Sequence, residues 1–173
     1  MIELTEERYD SAVAVALVAE LLAEINDRYA HEIEAMTAEE LAAEDAEYLA
    51  EVTPDMVTRP RGVFLVAWVD GEPAGCGALK PVADLATTAE VKRMYTAPAA
   101  RRRGVSRAIL ERLEEVAAEL GYEHLQLETG TEQPEALALY ESHGWHRIAP
   151  YGRYKDSPSS VCFGKHLDGS VDR

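Results

Sequence analysis

Three consecutive arginines followed by a glycine stand where an extended segment gives way to a helix. The segment VKRMYTAPAARRRGVSRAIL covers residues 91–110, with Arg101, Arg102 and Arg103 immediately before Gly104. The first amides of a helix have no partner within it, and the positive end of the helix dipole adds to their attraction for anions. Because glycine also removes a side chain from the point of contact, the turn is suited to a phosphate or pyrophosphate. A structural turn beneath a solvated basic patch is the alternative interpretation.

Two common phosphate-binding motifs are absent from the sequence. It contains neither the G-x-x-x-x-G-K-[ST] pattern of P-loop proteins nor a G-x-G-x-x-G after its first strand-like run. The formal net charge of −15 argues against a nucleic-acid partner, although a solvated helix face is the simplest account of that charge. We therefore expect a phosphate-bearing ligand of another class.

The segments around the arginine turn alternate between helical and strand-like patterns. Apolar spacing predicts helices at about 9–30, 37–50, 105–120 and 134–143, the second of them opened by a Thr37–Glu40 capping box. Strands are predicted at 63–69, 75–81, 89–96 and 124–128, with a final pair around the loop at 150–160. Asp70–Gly71 predicts a tight hairpin, and Gly75 and Gly77 allow another backbone or a ligand to come close. The order predicts a mixed α/β domain with one central sheet.

Two motifs, in this order and on these elements, resemble the GCN5-related N-acetyltransferase (GNAT) superfamily. The family pattern [QR]-x-x-G-x-[GA] between a strand and a helix is matched by Arg101, Gly104 and Ser106. A second pattern, Asn-x-x-Ala-x-x-x-Tyr-x-x-x-Gly-aromatic, is approached by Gln133, Ala136, Tyr140, Gly144 and Trp145. The sequence departs from the family at Ser106, where Gly or Ala is usual, and at Gln133, where Asn is common.

The resemblance implies a fold and an activity. It implies a single central, mostly antiparallel twisted sheet flanked by helices, in one domain spanning 1–173. The likeness is strong over about 62–167, and the helices at about 9–50 precede it. The implied reaction moves the acetyl group of acetyl-CoA directly to a primary amine of a small molecule or peptide. A non-catalytic CoA-binding sensor or interaction module on the same fold is the alternative.

The resemblance also assigns roles to particular residues. It implies Tyr140 as the acid that protonates the leaving thiolate, with an aromatic packing role as the alternative. For the base we favour Glu90, eleven positions before Arg101; a surface glutamate paired with Lys92 is the alternative, and Glu128 or a water chain could serve instead. The implied cofactor-binding residues are Met94, Tyr95 and Thr96 through their main chain, Arg101, Arg102, Arg103, Gly104, Val105, Ser106, Arg107 and Gln133.

The remaining residues that could do chemistry predict simpler roles. Histidines 31, 124, 143, 146 and 166 are scattered without a metal-binding spacing, so we expect no metal. Cys76 and Cys162 lie in apolar segments and are expected to be free, buried thiols. The tyrosine-rich loop 150–160 is either a simple β-hairpin loop or one wall of the acceptor pocket, and the N-terminal helices are expected to form the other wall. The acidic start and the lack of a long apolar run indicate a cytoplasmic protein without a membrane partner, and a homodimer is a reasonable expectation.

Overall fold

A computed structural model describes residues 1–168 of the chain. The elements follow one another as β1 (Ile2–Glu6), α1 (Ala12–Arg28), α2 (Ala30–Ile33), α3 (Ala38–Ala50), β2 (Val63–Val69), β3 (Glu72–Val82), β4 (Leu85–Thr96), a short 3₁₀ turn (Pro98–Ala100), α4 (Val105–Glu119), β5 (His124–Gly130), α5 (Pro134–Ser142), β6 (His146–Arg147) and β7 (Ser160–His166).

All seven strands belong to one sheet, in the order β1-β2-β3-β4-β5-β7-β6. Within residues 1–168 the β4–β5 pair is parallel, and every other neighbouring pair is antiparallel. The prediction of a single, mostly antiparallel sheet flanked by helices is therefore confirmed. In this part of the chain no helix is long and apolar enough to cross a membrane.

The sheet is buried on both faces, which explains the uninterrupted apolar run VFLVAWV in β2. Val63 and Leu65 belong to a core cluster that α4 covers, together with Leu113. Phe64 and Val66 point to the opposite face, where α1 packs against them. Successive side chains of a strand alternate between faces, so one central strand contributes to both cores.

Helix α4 lies close against β3 because of a glycine in that strand. A Cβ placed on Gly77 would lie 2.5 Å from Cγ2 of Ile109 and 2.9 Å from Sδ of Met94. A Cβ on Gly75 would lie 2.4 Å from the carbonyl oxygen of Tyr95. The predicted approach of another backbone is confirmed for Gly75, whereas Gly77 is approached by side chains.

The N-terminal helices begin where capping residues allow. Ser11 Oγ accepts a hydrogen bond from the Ala14 amide at 3.3 Å at the start of α1. At the start of α3, the Glu40 amide donates to Thr37 Oγ1 at 3.2 Å and the Thr37 amide donates to Glu40 Oε2 at 2.8 Å. The predicted capping box is therefore present, and it satisfies two helix-end donors.

Some predicted boundaries were wrong. Strand β1 was not predicted, although Ile2 and Leu4 alternate with polar residues as an edge strand requires. The predicted helix at 9–30 ends at Arg28 and is followed by the separate short α2. The final pair of strands is uneven, since β6 has two residues and β7 has seven.

Candidate functional site

The two parallel strands at the centre of the sheet diverge after a short pairing. Residues Thr88, Ala89 and Glu90 of β4 pair with residues 124–126 of β5. Strand β4 nevertheless continues to Thr96 and β5 to Gly130. Main-chain donors and acceptors of both strands therefore face the gap between them, at the carboxyl ends of parallel strands where α/β proteins bind ligands.

A bulge in β4 lies beside this gap. Cys76 of β3 pairs with Tyr95 and Ala78 pairs with Lys92, so β4 carries an extra residue between them. Arg93 has a φ of 58°, which is uncommon outside glycine. Its side chain is held by the α3 carbonyl of Tyr48, which accepts from Nη2 at 2.7 Å, and the guanidinium stacks 4.0 Å from the Tyr48 ring centroid. The bulge thus fixes α3 against the sheet.

The predicted phosphate cradle has the geometry of an exposed helix start. Gly104 is the N-cap residue of α4 with a φ of 85°, a left-handed conformation that favours glycine. The Ala108 amide donates to the Gly104 carbonyl at 3.0 Å, so the amides just before it, including that of Ser106, point away from the helix. The side chain of Val105 is 1% exposed and lies in the core, which leaves only its main chain for a ligand.

The arginines of the cradle differ in their surroundings. Arg101 donates through Nε to the Thr96 carbonyl at 3.2 Å and forms an ion pair with Glu24 of α1. Arg103 pairs with Asp70 at 2.9 Å. The side chains of Arg102 and Arg107 are exposed at the same end of α4.

A cavity of about 400 Å³ lies between the diverging strands, the N-terminal helices and the loop that precedes β7. Several residues named from the sequence line it, among them Tyr140, Met94, Gln133 and Glu128. Tyr154 and the serines at 157, 159 and 160 contribute from the loop, so this loop and the N-terminal helices line the same cavity, and its role as the acceptor pocket stays a prediction.

Tyr140 combines a packing position with access to the cavity. It is 4% exposed, and its ring centroid lies 5.9 Å from that of Trp145 and 5.8 Å from that of Phe163. Burial, and to a smaller extent the negative charge of Glu128, raises the pKa of the Tyr140 phenol above its ordinary value. The phenol therefore keeps its proton over the whole physiological range.

Glu128 has the most strongly perturbed carboxyl group that lines the cavity. Burial raises its pKa from 4.5 to about 7, an effect that the positive charge of Lys92 and a hydrogen bond partly offset. The hydrogen bond is donated by the Ser160 hydroxyl at 3.1 Å. A carboxyl group with a pKa close to neutrality can both accept and release a proton at physiological pH.

Glu90 occupies a different environment. It is 6% exposed, so the alternative of a surface glutamate is wrong, although the predicted pairing with Lys92 is present at 3.6 Å. Its Oε2 lies 3.0 Å from Lys80 Nζ, and the Tyr151 hydroxyl donates to Oε1, the oxygen nearer Lys92, at 3.0 Å. Glu90 is not among the residues that line the cavity, whereas Lys92 is.

The three β4 residues predicted to hold a ligand through their main chain lie along the gap. Met94 lines the cavity and packs against the core. The Tyr95 side chain turns to the α1 face, where its hydroxyl donates to Glu20 at 3.1 Å. Thr96 Oγ1 is buried and has no hydrogen-bond partner among residues 1–168. The edge of β4 that faces the gap therefore presents its backbone groups there.

The sequence analysis did not predict that tyrosines from the N-terminal helices line the cavity. Tyr29, at the end of α1, and Tyr48, in α3, both line the cavity. A Cβ on Gly130 would lie 1.7 Å from the Tyr29 hydroxyl oxygen, which shows how closely α1 approaches the end of β5. Glycine at that strand end was the one available signal for this contact.

The loop at 148–159 is attached to α3 by ion pairs. Arg153 lies 2.6 Å from Glu44 and 2.5 Å from Glu47. The hydroxyl of Tyr154 also donates to Glu44, at 3.4 Å. These contacts join two segments more than a hundred residues apart and close one side of the cavity.

Three of the histidines, which are scattered in the sequence, lie close together in the fold. His124 and His166 lie opposite one another on β5 and β7, with ring centroids 4.4 Å apart, and His146 stacks on His166 at 6.3 Å. Over residues 1–168, no group of three or more His, Cys, Asp or Glu side chains is arranged to hold a metal ion. Cys76 and Cys162 are free and buried, as predicted.

The diverging strands and the exposed helix start are the features expected of an acyltransferase that draws its acyl group from a coenzyme A thioester. The cradle fits a pyrophosphate, because its amides point outward, Gly104 adopts the required φ, and a Cβ there would meet no atom within 4 Å. Comparison with known proteins agrees with this class. The family model for the acetyltransferase (GNAT) family matches residues 19–145, and the chain belongs to that family.

Relatives and solved structures give the same result. An N-acetyltransferase of Bacillus subtilis, the uncharacterized protein YsnE, is 41% identical over 112 residues, which cover 62% of this chain and 72% of the relative. A candidate acyl-CoA N-acyltransferase from Klebsiella pneumoniae has a solved structure with a TM-score of 0.73 and 26% identity, over 96% of this chain and 98% of that one.

Solved structures of this fold with coenzyme A or acetyl-CoA bound are among those similar to the chain. The PaiA N-acetyltransferase of Thermoplasma acidophilum, in complex with coenzyme A, has a TM-score of 0.61 and 17% identity, over 96% of this chain and 99% of that one. At that identity the likeness concerns the fold. Together, the family match and the N-acetyltransferase relative support catalysis over a non-catalytic CoA-binding module. The chain is an acetyltransferase.

Proposed function

We propose that this enzyme transfers the acetyl group of acetyl-CoA directly to the primary amine of a small molecule or peptide. Acetyl-CoA supplies a thioester, whose carbonyl carbon is open to attack by an amine and whose thiolate can leave. The protein has to hold the thioester, take a proton from the attacking ammonium and return one to the thiolate. The position of each main-chain and side-chain group suggests its role in this reaction.

The amides of residues 102–107 hold the pyrophosphate, and Arg102 and Arg107 add positive charge beside it. The main chain of Met94, Tyr95 and Thr96 holds the pantetheine arm as an added strand, because that edge of β4 is unpaired with β5. A backbone amide of the same strand polarises the thioester carbonyl. Gln133 at the start of α5 contacts the cofactor from the opposite side of the gap.

Glu128 is the base. An ammonium has no lone pair, so it must lose its proton before attack, and a carboxylate with a pKa of about 7 accepts that proton near neutrality. Its carboxyl group lines the cavity, whereas Glu90 is enclosed by Lys80 and Lys92. A water molecule between Glu128 and the amine would serve the same step. Glu90 then acts indirectly, by balancing the charge of Lys92.

Tyr140 is the acid. Its phenol is protonated at every relevant pH, and it lines the same cavity as Glu128. Transfer of its proton to the leaving sulfur produces a neutral thiol, and the phenolate left on Tyr140 regains a proton, directly or through water, from Glu128, which has taken one from the ammonium. This proposal rests on one observation. Tyr140 and Glu128 line the same cavity, at the point where β4 and β5 diverge.

A thiol-release assay with acetyl-CoA and a panel of amines tests the proposal. Tyr140→Phe is expected to lower kcat roughly 10²–10⁴-fold with little change in the affinity for coenzyme A. Tyr122→Phe is the matched control, because it removes a phenol hydroxyl that donates to the Arg61 carbonyl outside the cavity. Unchanged turnover in Tyr140→Phe would remove the acid role.

The base is assigned by comparing two glutamine variants. Glu128→Gln is expected to abolish the rise of kcat/KM with pH, while Glu90→Gln is expected to retain that rise and to lower stability, because it leaves two buried lysines less well compensated. The reverse pattern would assign the base to Glu90. Binding of coenzyme A by calorimetry, without thiol release from any amine, would favour the non-catalytic module.

A further inference from the structure

The cavity wall contains a buried guanidinium without a carboxylate partner. Arg93 lines the cavity at the bulge of β4 and is 3% exposed. Its hydrogen bonds within residues 1–168 go to neutral oxygens: the Tyr9 hydroxyl accepts from Nε at 3.2 Å, and the Tyr48 and Leu49 carbonyls accept from Nη2 at 2.7 and 3.4 Å. Nη1 is buried and has no hydrogen-bond partner in the same part of the chain. Because buried charges are normally paired, an anion is expected beside Arg93 when the cavity is filled.

The neutral partners of Arg93 hold its position without cancelling its charge. The two carbonyls belong to the last turn of α3, where the helix dipole is negative, and the Tyr48 ring centroid lies 4.0 Å from the guanidinium carbon. These contacts use Nε and Nη2, and an arginine that only fixes α3 would need no more. Nη1 is left for a ligand. A carboxylate is the anion that forms strong, charge-assisted hydrogen bonds with such a nitrogen.

The other charges of the cavity wall leave one anionic position open to a ligand. Two of them are paired within the protein, Glu44 with Arg153 at 2.6 Å and Lys92 with Glu51 at 2.7 Å. The Glu32 side chain is 39% exposed, so water screens its charge. Glu128 lines the cavity and forms no salt bridge to a lysine or arginine within residues 1–168. The cavity therefore presents one cation, Arg93, and one anion, Glu128, that a ligand of opposite charges can pair.

From this arrangement we infer that the acceptor is an amino acid with an apolar body, whose carboxylate binds Arg93 while its amine lies at Glu128. The inference rests on the proposed function, because it takes Glu128 as the base. The apolar body covers the rest of the wall, since aliphatic and sulfur-containing side chains of α1 to α3 line it, which are Leu21, Ile25, Ile33, Met36 and Leu41. A simple alkylamine would leave the guanidinium unpaired, and a diamine would place a second cation near it.

Two sets of matched acceptors test the inference in the thiol-release assay. One set is 6-aminohexanoate, 6-aminohexanamide and hexylamine; the other is L-phenylalanine, L-phenylalaninamide and 2-phenylethylamine. Each set compares a carboxylate with its neutral amide and with the amine that lacks both. The two sets differ in the separation of amine and carboxylate. Rates are compared per concentration of neutral amine, since the three members of a set differ in the pKa of their ammonium group.

We expect the carboxylate of one set to exceed both of its neutral counterparts in kcat/KM by about tenfold or more. The set in which this happens gives the separation of the two charged groups in the acceptor. Carboxylates that are no better than their amides in both sets would overturn the inference, while turnover of the neutral amines would leave the proposed function standing. No thiol release from any of the six compounds would instead refute the proposed function.

Replacing Arg93 tests where the carboxylate binds. Arg93→Gln removes the charge from the cavity wall, and Arg112→Gln is the control, because it makes the same change in net charge on the exposed side of α4, beyond the other face of the sheet. We expect Arg93→Gln to lower the ratio of kcat/KM for the preferred carboxylate over its amide about tenfold or more, and Arg112→Gln to leave this ratio unchanged. An arginine that only fixes α3 would lower both rates together, so an unchanged ratio in folded Arg93→Gln would overturn the inference.

A measurement on the wild type covers the case in which Arg93→Gln does not fold. Carboxylates that lack the amine should compete with the acceptor, and their amides should compete less well. Hexanoate is compared with hexanamide, and 3-phenylpropanoate with 3-phenylpropanamide. We expect the carboxylate of the preferred set to inhibit at about tenfold lower concentration than its amide. Equal inhibition by carboxylate and amide in both pairs would overturn the inference.

Discussion

Replacing Glu128 by glutamine is expected to stabilise the protein while it destroys activity. In the folded protein the pKa of this carboxyl group is raised from 4.5 to about 7, mainly by burial. Each pKa unit corresponds to about 1.4 kcal/mol, so ionised Glu128 costs the folded state about 3 kcal/mol above neutrality. Glutamine has nearly the same shape and can still accept the hydrogen bond from Ser160. It does not carry the charge.

The difference in stability between Glu128→Gln and the wild type depends on pH. Below about pH 4 the carboxyl group is protonated in both the folded and the unfolded chain, so the variant and the wild type should be equally stable. Between pH 4.5 and 7 the folded protein binds more protons than the unfolded chain, and the stability contributed by this group falls as the pH rises. The variant is therefore expected to be about 3 kcal/mol more stable at pH 8, or roughly 6–12 °C in Tm.

Urea unfolding of both proteins at several pH values measures this difference. Glu123→Gln, at an exposed position just before β5, is the control and should show no such trend. In parallel, kcat/KM of the wild type should rise with an apparent pKa near 7, and that of the variant should be low at every pH. If the variant were less stable than the wild type at pH 8, the carboxylate would be compensated by its neighbours and the burial argument would be refuted.

Three further substitutions test other parts of the site. Glu24→Gln removes the ion pair that competes with a pyrophosphate for Arg101, so calorimetry should show coenzyme A binding about 2–5-fold more tightly, and weaker binding would contradict this. Gly104→Ala should cost about 1–2 kcal/mol in urea unfolding, from its positive φ alone, and should weaken coenzyme A binding. Gly77→Ala should cost about 1–3 kcal/mol, because its Cβ displaces Ile109; a stability equal to the wild type would show that α4 moves freely.

The elements that sequence reasoning located well are those with strong local patterns. Helix α4 runs from Val105 to Glu119, close to the predicted 105–120, because its apolar face repeats at helical spacing and Gly121 follows it. The hairpin at Asp70–Gly71 is present, with φ values of 56° and 86° that suit a type I′ turn. Local sequence determines these features almost alone.

The candidate site was less predictable because its chemistry depends on contacts across the chain. Glu90 was favoured as the base, with a surface glutamate as the alternative, and nothing in the sequence indicated that Lys80 from β3 and Tyr151 from the distant loop enclose it. Glu128 had no local mark of a raised pKa, since that shift comes from burial under helices far away in sequence. Motif spacing pointed to Tyr140 and to the turn at Gly104 as candidates, whereas the difference between the two glutamates needed the three-dimensional arrangement.

The short pairing of β4 with β5 joins the two parts of the sheet by few backbone hydrogen bonds. Only three residue pairs join the four strands on one side to the three on the other. A ligand held by both strands would therefore add hydrogen bonds where β4 and β5 share few of their own. Stiffness in this enzyme thus depends on occupancy, and slower amide exchange on binding should reach β1 and β7 as well as the strands in contact.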